Sequence, residues 1–423
     1  MPQARDADLQ PRRTGGSGDL RQGNLTQILR YVRDHGSSSR HDIAHGCGLG
    51  ISTMTDLIGE LRTRRLVKEL DPIRRPGAGR PTRPIALDGE PWCVLGIHVD
   101  PDRVDFAAAT VGGRELWTES VPADLREAGP EGGPATLDRL LRTQLARLPS
   151  DKSLVAIELG VPGYVSSDRA AVGWSASLGW RDVPLGRLTS ATLDDLGISR
   201  VHIGISNECH LAALHATRVE LDLPADVIAV YLGGSREVGS AVIINGEIFR
   251  GAHGGAGDLG HHHVDPDGPK CWCGRTGCLE SLAGPKRLLS KGDLLPPAEA
   301  ERLVDDHPDQ AAEVLADAVR TGEHHVRAAL DEAGAALGRA IDDVVGLINP
   351  DVVILGGYLG AISAQLLPAV ERRLGDRLSI TAFADTKVRA VDRNPVRVAA
   401  GAVLAARDAV LYDPLALTAP VQT

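Results

Sequence analysis

Aromatic residues and long apolar runs are scarce in this sequence. Only 3% of its 423 residues are aromatic whereas 43% are hydrophobic, so the core must be built mainly from Ala, Val, Leu and Ile. No apolar run approaches the roughly 20 residues that span a bilayer, and the start MPQARDADLQPRRTGGSGDL lacks the apolar segment of a secretory signal. We therefore expect a cytoplasmic protein with no membrane partner.

Cysteine is also scarce, and it is unevenly placed. Three of the six cysteines lie within residues 271–278, which favours a metal site in a reducing compartment over a disulfide framework. Charge is uneven as well: residues 21–90 contain twelve Lys or Arg and eight Asp or Glu, a balance of +4, whereas the whole chain carries −10. A basic segment on an acidic protein indicates a nucleic-acid-binding module.

The basic segment has the pattern of a helix-turn-helix. NLTQILRYVRDHG has helical spacing, and Ser39 with Asp42 forms a capping pattern before a short second helix. After a glycine turn, a third helix places apolar residues at i, i+3, i+4 and i+7. The residues predicted to contact DNA from these helices are Ser39, Arg40, Ile51, Ser52, Thr53, Thr55, Asp56 and Arg62.

The stretch LVKELDPIRRPGAGRPTRPIAL resembles a β-ribbon wing. Two short apolar strands flank Arg74, Arg75 and Arg80, which are predicted to contact phosphates or enter a minor groove. The alternative is a three-helix module for protein contacts with a solvated charged hairpin.

These motifs carry a family resemblance. N-x-x-x-I-L, S-R-x-D-I-A, a T-x-T helix, L-V and G-R-P resemble the winged-helix half of the ROK family, named for repressors, open reading frames and kinases. The resemblance implies a winged helix-turn-helix at 21–88, followed at 92–412 by an α/β, two-lobed, actin/hexokinase-like (ribonuclease H-like) sugar-binding domain. Residues 1–20 and 413–423 are predicted to be tails, the first of them disordered. Alternating Val/Ile strands and Ala/Leu helices independently support α/β architecture.

Residues 258–280 contain the candidate metal motif. Three thiolates and one imidazole are the ligand set of a closed structural zinc site, and Gly274 and Gly277 allow the chain to turn back on itself. C-x-C-G-x-x-G-C after G-H also matches the ROK metal motif. Three ordinary reduced cysteines are the alternative. We expect a structural Zn²⁺ ion held by His261, Cys271, Cys273 and Cys278.

A neutral sugar needs several carboxylates or amides that converge on its hydroxyls. For each carboxylate alone, a solvated loop charge is the simpler interpretation. The ROK resemblance implies that the sugar ligands are Gly163, Tyr164, Asn207, Glu208, Asp258, His261 and Glu280.

The positions that a ROK kinase uses for phosphoryl transfer are altered. Glu208 replaces the catalytic Asp, and His98 and Asp100 replace the Asp and Gly of the first phosphate loop. Arg236 and Glu237 interrupt the second loop. Acidic side chains there would repel ATP phosphates, so we expect no enzyme activity.

The sequence therefore predicts a sugar-responsive DNA-binding transcriptional regulator. By resemblance it is a repressor of carbohydrate uptake or catabolism genes that binds operator DNA as a homodimer or tetramer. One alternative is an active ROK sugar kinase with an appended DNA-binding domain. Another is a zinc- or thiol-responsive regulator with Cys209 as the reactive thiol.

Overall fold

A computed structural model of the protein describes residues 17–73, 82–322, 324–376, 386–392, 394 and 397–417. Three helices and a two-stranded antiparallel ribbon form its N-terminal part: α1 (Ser17–His35), α2 (Arg40–Gly46), α3 (Ile51–Thr63), β1 (Val67–Glu69) and β2 (Ile85–Leu87).

The helix-turn-helix forms as its sequence predicts. The Ser39 hydroxyl caps α2 by accepting from the backbone N–H of Asp42 at 3.1 Å, which satisfies a donor that the helix leaves unpaired. Gly50 precedes α3 and offers no side-chain cap. The apolar face of α3 is fully buried against its neighbours through Met54, Leu57, Ile58 and Leu61.

The first lobe is built on a five-stranded sheet with strand order β10-β6-β3-β4-β5 and carries a three-stranded sheet, β7-β8-β9. Its elements are β3 (Trp92–Val99), β4 (Arg103–Thr110), β5 (Glu115–Pro122), α4 (Leu125–Leu145), β6 (Ser153–Val161), β7 (Tyr164–Val165), β8 (Val172–Ser175), β9 (Trp180–Val183), α5 (Leu185–Asp195) and β10 (His202–Asn207).

The second lobe is built on the sheet β13-β12-β11-β14-β15. Its elements, with the helix α6 that enters it, are α6 (Glu208–His215), β11 (Ile228–Gly233), β12 (Gly239–Ile244), β13 (Glu247–Ile248), α7 (Leu279–Ala283), α8 (Pro285–Lys291), α9 (Pro297–Asp306), α10 (Pro308–Thr321), α11 (His324–Ile348), β14 (Val352–Leu355), α12 (Gly357–Ala361), α13 (Ser363–Asp376) and β15 (Lys387–Ala390).

The last helix, α14 (Arg397–Tyr412), returns to the first lobe and packs against β3, β6 and α6. It also contacts α1, so one hydrophobic cluster contains residues of the three N-terminal helices, the first sheet and α14. At the junction, the indole N–H of Trp92 donates to the carbonyl of Arg64 at 2.9 Å. The core is therefore continuous between the N-terminal helical module and the lobes.

Both predicted tails need correction where the structure describes them. α1 begins at Ser17, so residues 17–20 are helical; residues 1–16 lie outside the described part. After α14 the chain folds back, and Leu417 is buried in the shared cluster, with its carbonyl accepting from the Arg64 guanidinium. Residues 418–423 again lie outside the described part.

The apolar stretch 324–348 forms α11 and packs on α7 and α13. Ala333, Leu337 and Ile341 are buried in the second-lobe core. Within the described residues, helices are too short or too polar to traverse a bilayer.

A shared core predicts a single cooperative unfolding transition. Leu411→Ala in α14 should lower the free energy of unfolding by about 2–5 kcal/mol, because it removes a fully buried side chain. In urea titrations, the loss should appear equally in helix circular dichroism and in tryptophan fluorescence. Leu347→Ala, at a side chain that is 84% exposed, is the matched control. Two separate transitions, with only one affected, would contradict the shared core.

Candidate functional site

The predicted sugar ligands surround a cavity of about 250 Å³ between the two lobes. The ends of β6 and β10, the start of α6, the β11–β12 turn and residues 250–261 bound it. Parallel strands end together at one sheet edge, and the loops that follow them form the usual binding crevice of an α/β fold. The predicted residues that line the cavity are Gly163, Tyr164, Asn207, Glu208, Asp258 and His261.

Hydrogen bonds hold several of these side chains in place. Asn207 ends β10 and caps α6: its amide oxygen accepts from the backbone N–H of Cys209 at 2.8 Å, and its Nδ2 donates to the carbonyl of Gly163 at 2.9 Å. The Tyr164 hydroxyl donates to the carboxylate of Asp258, so the two lobes meet at the cavity. Amide and carboxylate oxygens in this arrangement suit hydroxyl groups, which donate and accept.

Glu280 does not line the cavity, and this corrects its predicted place among the sugar ligands. Its side chain is buried, and its Oε2 accepts from the backbone N–H of Val238 at 2.5 Å. Burial and the nearby charge of Glu237 raise the pKa of Glu280. The carboxylate therefore supports the β11–β12 turn from behind. Glu237 lines the cavity instead, and burial raises its pKa to about 7.

Sequence reasoning missed an aromatic wall of the cavity. The ring centroid of Trp174 lies 6.3 Å from that of Tyr164 and 5.3 Å from that of Trp272. The rings of Trp272 and His261 meet edge-on, with their centroids 4.6 Å apart. Trp272 is 48% exposed. The sequence did contain a signal for this wall. The chain has only five tryptophans, and Trp272 lies between two of the predicted metal ligands in C-W-C.

The predicted metal ligands converge. The ligand atoms of His261, Cys271, Cys273 and Cys278 all lie within 4.8 Å of one another. Cys273 Sγ and Cys278 Sγ are 3.7 Å apart, and Cys271 Sγ is 3.6 Å from His261 Nδ1. A tetrahedral zinc ion with Zn–S bonds of about 2.3 Å separates its sulfurs by about 3.8 Å. The donor set and its spacing therefore fit zinc.

Two glycines make this convergence possible, as the sequence predicts. Gly274 and Gly277 have φ values of +91° and +67°, which side chains rarely adopt. A Cβ at Gly277 would lie only 1.6 Å from the carbonyl oxygen of Asp265. The neighbouring His262 bonds through Nε2 to Asp343 Oδ2 at 2.8 Å and is not one of the four converging ligands.

The altered phosphate loops are joined to each other. Arg236, from the β11–β12 turn, donates from Nη1 to Asp100 Oδ1 at 2.6 Å and from Nη2 to Asp102 Oδ1 at 3.1 Å. Arg236 and Asp100 are both buried, and the Nε of Arg236 donates to the carbonyl of Asp305 at 3.0 Å. Side chains of the protein thus form an ion-pair network between the lobes at the positions where the resemblance places ATP phosphates.

Glu208, at the position of the kinase base, is already paired. His98 Nε2 lies 3.0 Å from Glu208 Oε2, and His98 Nδ1 lies 3.3 Å from Asp105 Oδ2. Burial disfavours the imidazolium, but the bonds to Asp105 and Glu208 outweigh it and raise the pKa of His98 to about 10. Burial opposes ionisation of Glu208 as well, yet His98 lowers the pKa of Glu208. An ionised, ion-paired carboxylate is a weak general base.

The outer face of α3 is open to solvent. The predicted DNA-contacting residues that are exposed there are Ile51, Ser52, Thr53, Thr55, Asp56 and Arg62.

Three predicted DNA contacts also bond to other side chains of the N-terminal module. Glu69 of β1 accepts from Arg40 at 2.5 Å and from Arg62 at 3.1 Å, so both guanidiniums are tied to the ribbon. The Ser39 hydroxyl donates to Asp42 at 2.8 Å while it caps α2. The predicted wing contacts that lie outside the described residues are Arg74, Arg75 and Arg80.

Comparison with known proteins agrees with this architecture. The model of the ROK family matches residues 126–408, about two thirds of the chain. The chain belongs to the ROK family.

Relatives of this ROK protein include both regulators and kinases. The xylose repressor of Caldicellulosiruptor bescii is 25% identical over 374 residues, 87% of this chain and 91% of the relative. The crystal structure of a ROK transcriptional regulator described as a homologue of E. coli Mlc superposes with a TM-score of 0.76 at 22% identity, covering 94% of this chain and 98% of that one. The structure of a ROK glucokinase from Streptomyces griseus superposes with a TM-score of 0.58 at 21% sequence identity. The match covers 74% of this chain and 99% of the glucokinase. The predicted fold is confirmed.

Zinc content tests the cysteine cluster. We expect about one zinc per chain by atomic emission spectrometry, and its loss in Cys273→Ser with a lower melting temperature, because three ligands hold zinc poorly. Cys47→Ser removes a buried thiol outside the cluster and should retain zinc. A zinc-free wild type, purified without chelators, would disprove the site.

The raised pKa of His98 should make the stability of this ROK protein depend on pH. Its folded pKa of about 10 lies above the unfolded value near 6.5, so its contribution is complete below pH 6.5 and is lost as the pH rises through 10. Between pH 7 and 10, the wild type should lose on the order of 3 kcal/mol more than His98→Gln in urea titrations. His253→Gln, at an exposed histidine, should behave as wild type. Parallel curves for wild type and His98→Gln would contradict an imidazolium at this position.

Proposed function

We propose that this protein is a sugar-responsive, DNA-binding transcriptional repressor of carbohydrate uptake or catabolism genes. The observation that carries the proposal is the Arg236 side chain, buried between Asp100 and Asp102 at the altered phosphate loops. The sugar-sized cavity beside it remains open. A cleft of this kind can bind a sugar but is poorly suited to positioning ATP.

The N-terminal module supplies the DNA-binding half of the proposal. α3 presents small polar side chains such as Ser52 and Thr53 to solvent, as a recognition helix in a major groove requires. The similarity to a xylose repressor over nearly the whole chain supports the same role. We propose that the protein binds paired operator half-sites as a homodimer or tetramer.

Packing suggests how the two halves communicate. α6 begins beside the proposed sugar ligands Asn207 and Glu208, and α14 packs against both α6 and α1. The buried carboxylate of Asp408 in α14 accepts from Arg33 of α1 at 2.9 Å and pairs with Arg218, just beyond α6, at 2.8 Å. A shift of α6 on sugar binding would therefore reach α1 through α14.

The zinc cluster contributes rigidity in this proposal. Zn²⁺ would be held by the three cysteines and His261, and it would act as a structural cross-link rather than as a reactant. His261 and Trp272 belong to the cluster region and also line the cavity. The ion would thereby fix one wall of the sugar site.

The two alternatives have less support. A kinase would need a free base, but Glu208 is paired with His98. A thiol sensor would need an accessible thiolate, but Cys209 is buried, and burial together with Glu208 raises its pKa well above the ordinary value.

Sugar-triggered release of operator DNA tests the proposed function. Sugars would be screened by thermal shift, and each that binds would be added to the protein on a fluorescent operator fragment selected from random DNA. We expect the fluorescence anisotropy to fall with sugar and the DNA affinity to fall steeply with salt. Hexose-dependent ATP turnover by the same preparation would favour the kinase alternative. Failure of every sugar to bind or release DNA would refute the proposal.

Asp408→Asn tests the route between the two sites. The variant should bind sugar with unchanged affinity, but the sugar should weaken DNA binding at least fivefold less than in the wild type, because Arg33 and Arg218 lose their shared partner. Isothermal titration calorimetry measures the sugar affinity, and fluorescence anisotropy with and without sugar measures the DNA affinity. Asp413→Asn removes an exposed carboxylate at the same junction and should keep full coupling. Equal coupling in both variants would exclude this route.

A further inference from the structure

Two arginine side chains line the proposed sugar cavity beside Ser206. Arg169 Nη2 lies 3.3 Å from the Ser206 hydroxyl oxygen, and Arg250 Nη2 lies 3.2 Å from the same atom. Neither arginine belongs to the motifs that predicted the sugar ligands. Two guanidiniums that converge on one hydroxyl repel each other and need negative charge nearby.

One buried carboxylate supplies part of that charge. Glu158 is fully buried, accepts from the Ser206 hydroxyl at 2.6 Å and forms an ion pair with Arg169. Glu158 therefore neutralises Arg169.

Arg250 is left as the surplus cation. Within the described ranges, its one recorded hydrogen bond is to Ser206, and no carboxylate oxygen lies within ion-pair distance of its guanidinium. Burial and the charge of Arg169 lower the pKa of Arg250 to about 10, so it is still protonated at pH 7. Burial, with the charges of Arg250 and Arg169, also lowers the pKa of the nearby His210 to about 3. At this wall of the cavity, two guanidiniums therefore converge on Ser206, and only one of them is paired with the Glu158 carboxylate.

An anion entering the cavity would remove this imbalance. Guanidinium groups bind carboxylate and phosphate with paired, charge-assisted hydrogen bonds, which a neutral hydroxyl cannot reproduce. Asp258 and Asn207 of the same cavity remain suited to hydroxyl groups. The cavity thus has one region for a polyol and another for an anion.

We propose that the effector is an anionic sugar, a sugar acid or a sugar phosphate, whose carboxylate or phosphate is bound by Arg250 beside Arg169. This inference rests on the proposed sugar-binding function. It narrows the effector class from sugars in general to those that carry a negative charge.

Matched ligand sets test the inference by isothermal titration calorimetry on the full chain. Glucose, glucuronate and glucose 6-phosphate form one set, and galactose, galacturonate and galactose 6-phosphate form another. At least one anionic member should bind ten or more times tighter than its neutral parent, with an affinity that falls as salt rises. The preferred member distinguishes a carboxylate effector from a phosphate effector.

Arg250→Gln should weaken the anionic ligand at least tenfold while changing the neutral parent less than twofold. Without ligand, its melting temperature should equal or exceed that of the wild type, because a partly buried cation that has no carboxylate at ion-pair distance among the described residues is removed. Arg250→Lys keeps the positive charge but loses the paired hydrogen-bond geometry of a guanidinium. Its affinity for the anionic ligand should lie between those of the wild type and Arg250→Gln. Arg181→Gln removes an exposed positive charge and should bind as wild type.

The possible failures separate the two proposals. If neutral sugars bind and release DNA while their anionic partners bind no better, the inference about charge is overturned and the proposed function stands. An anionic preference that survives Arg250→Gln also overturns the inference, because another site would carry it. If no sugar of either kind binds, both proposals fail.

Discussion

A buried ion pair between Asp100 and Arg236 joins the two lobes and defines what their cleft can do. Arg236 Nη1 lies 2.6 Å from Asp100 Oδ1, and Nη1 of the flanking Arg103 lies 3.3 Å from Asp100 Oδ2. Burying charges is expensive unless each is paired, so this network holds together the two loops that correspond, by resemblance, to the phosphate loops of ROK kinases. A smaller cavity of about 80 Å³ remains next to His98 and Gly357, about a third of the volume of the proposed sugar site.

Packing of α14 links the cleft to the N-terminal helical module, for which we propose DNA binding. α14 is long enough to touch the first sheet, α6 and α1, so it is core for both parts of the chain. Packed interiors respond to displacement as units because they contain little free volume. A helix shared in this way can transmit a change at the cavity to the orientation of α3 without a flexible linker.

Features encoded within short stretches were predictable. The apolar spacing of α3 and the Ser39 cap depend on residues within one or two helical turns, and both form as expected. The predicted zinc site takes all four of its ligands from residues 261–278, where the glycine turns leave the chain few ways to fold. Most proposed sugar ligands line the cavity for a similar reason, because their motifs follow strand ends.

The sequence by itself determined the fold class, the helix-turn-helix and the cysteine cluster. Tertiary structure alone decided that Arg236 meets Asp100 across 136 positions of sequence, that Glu280 bonds to the backbone of Val238, and that no carboxylate of the described residues forms an ion pair with Arg250. Local patterns show which groups are polar or charged. Whether such a group is buried, and which partner neutralises it, depends on distant elements that meet only when the chain folds.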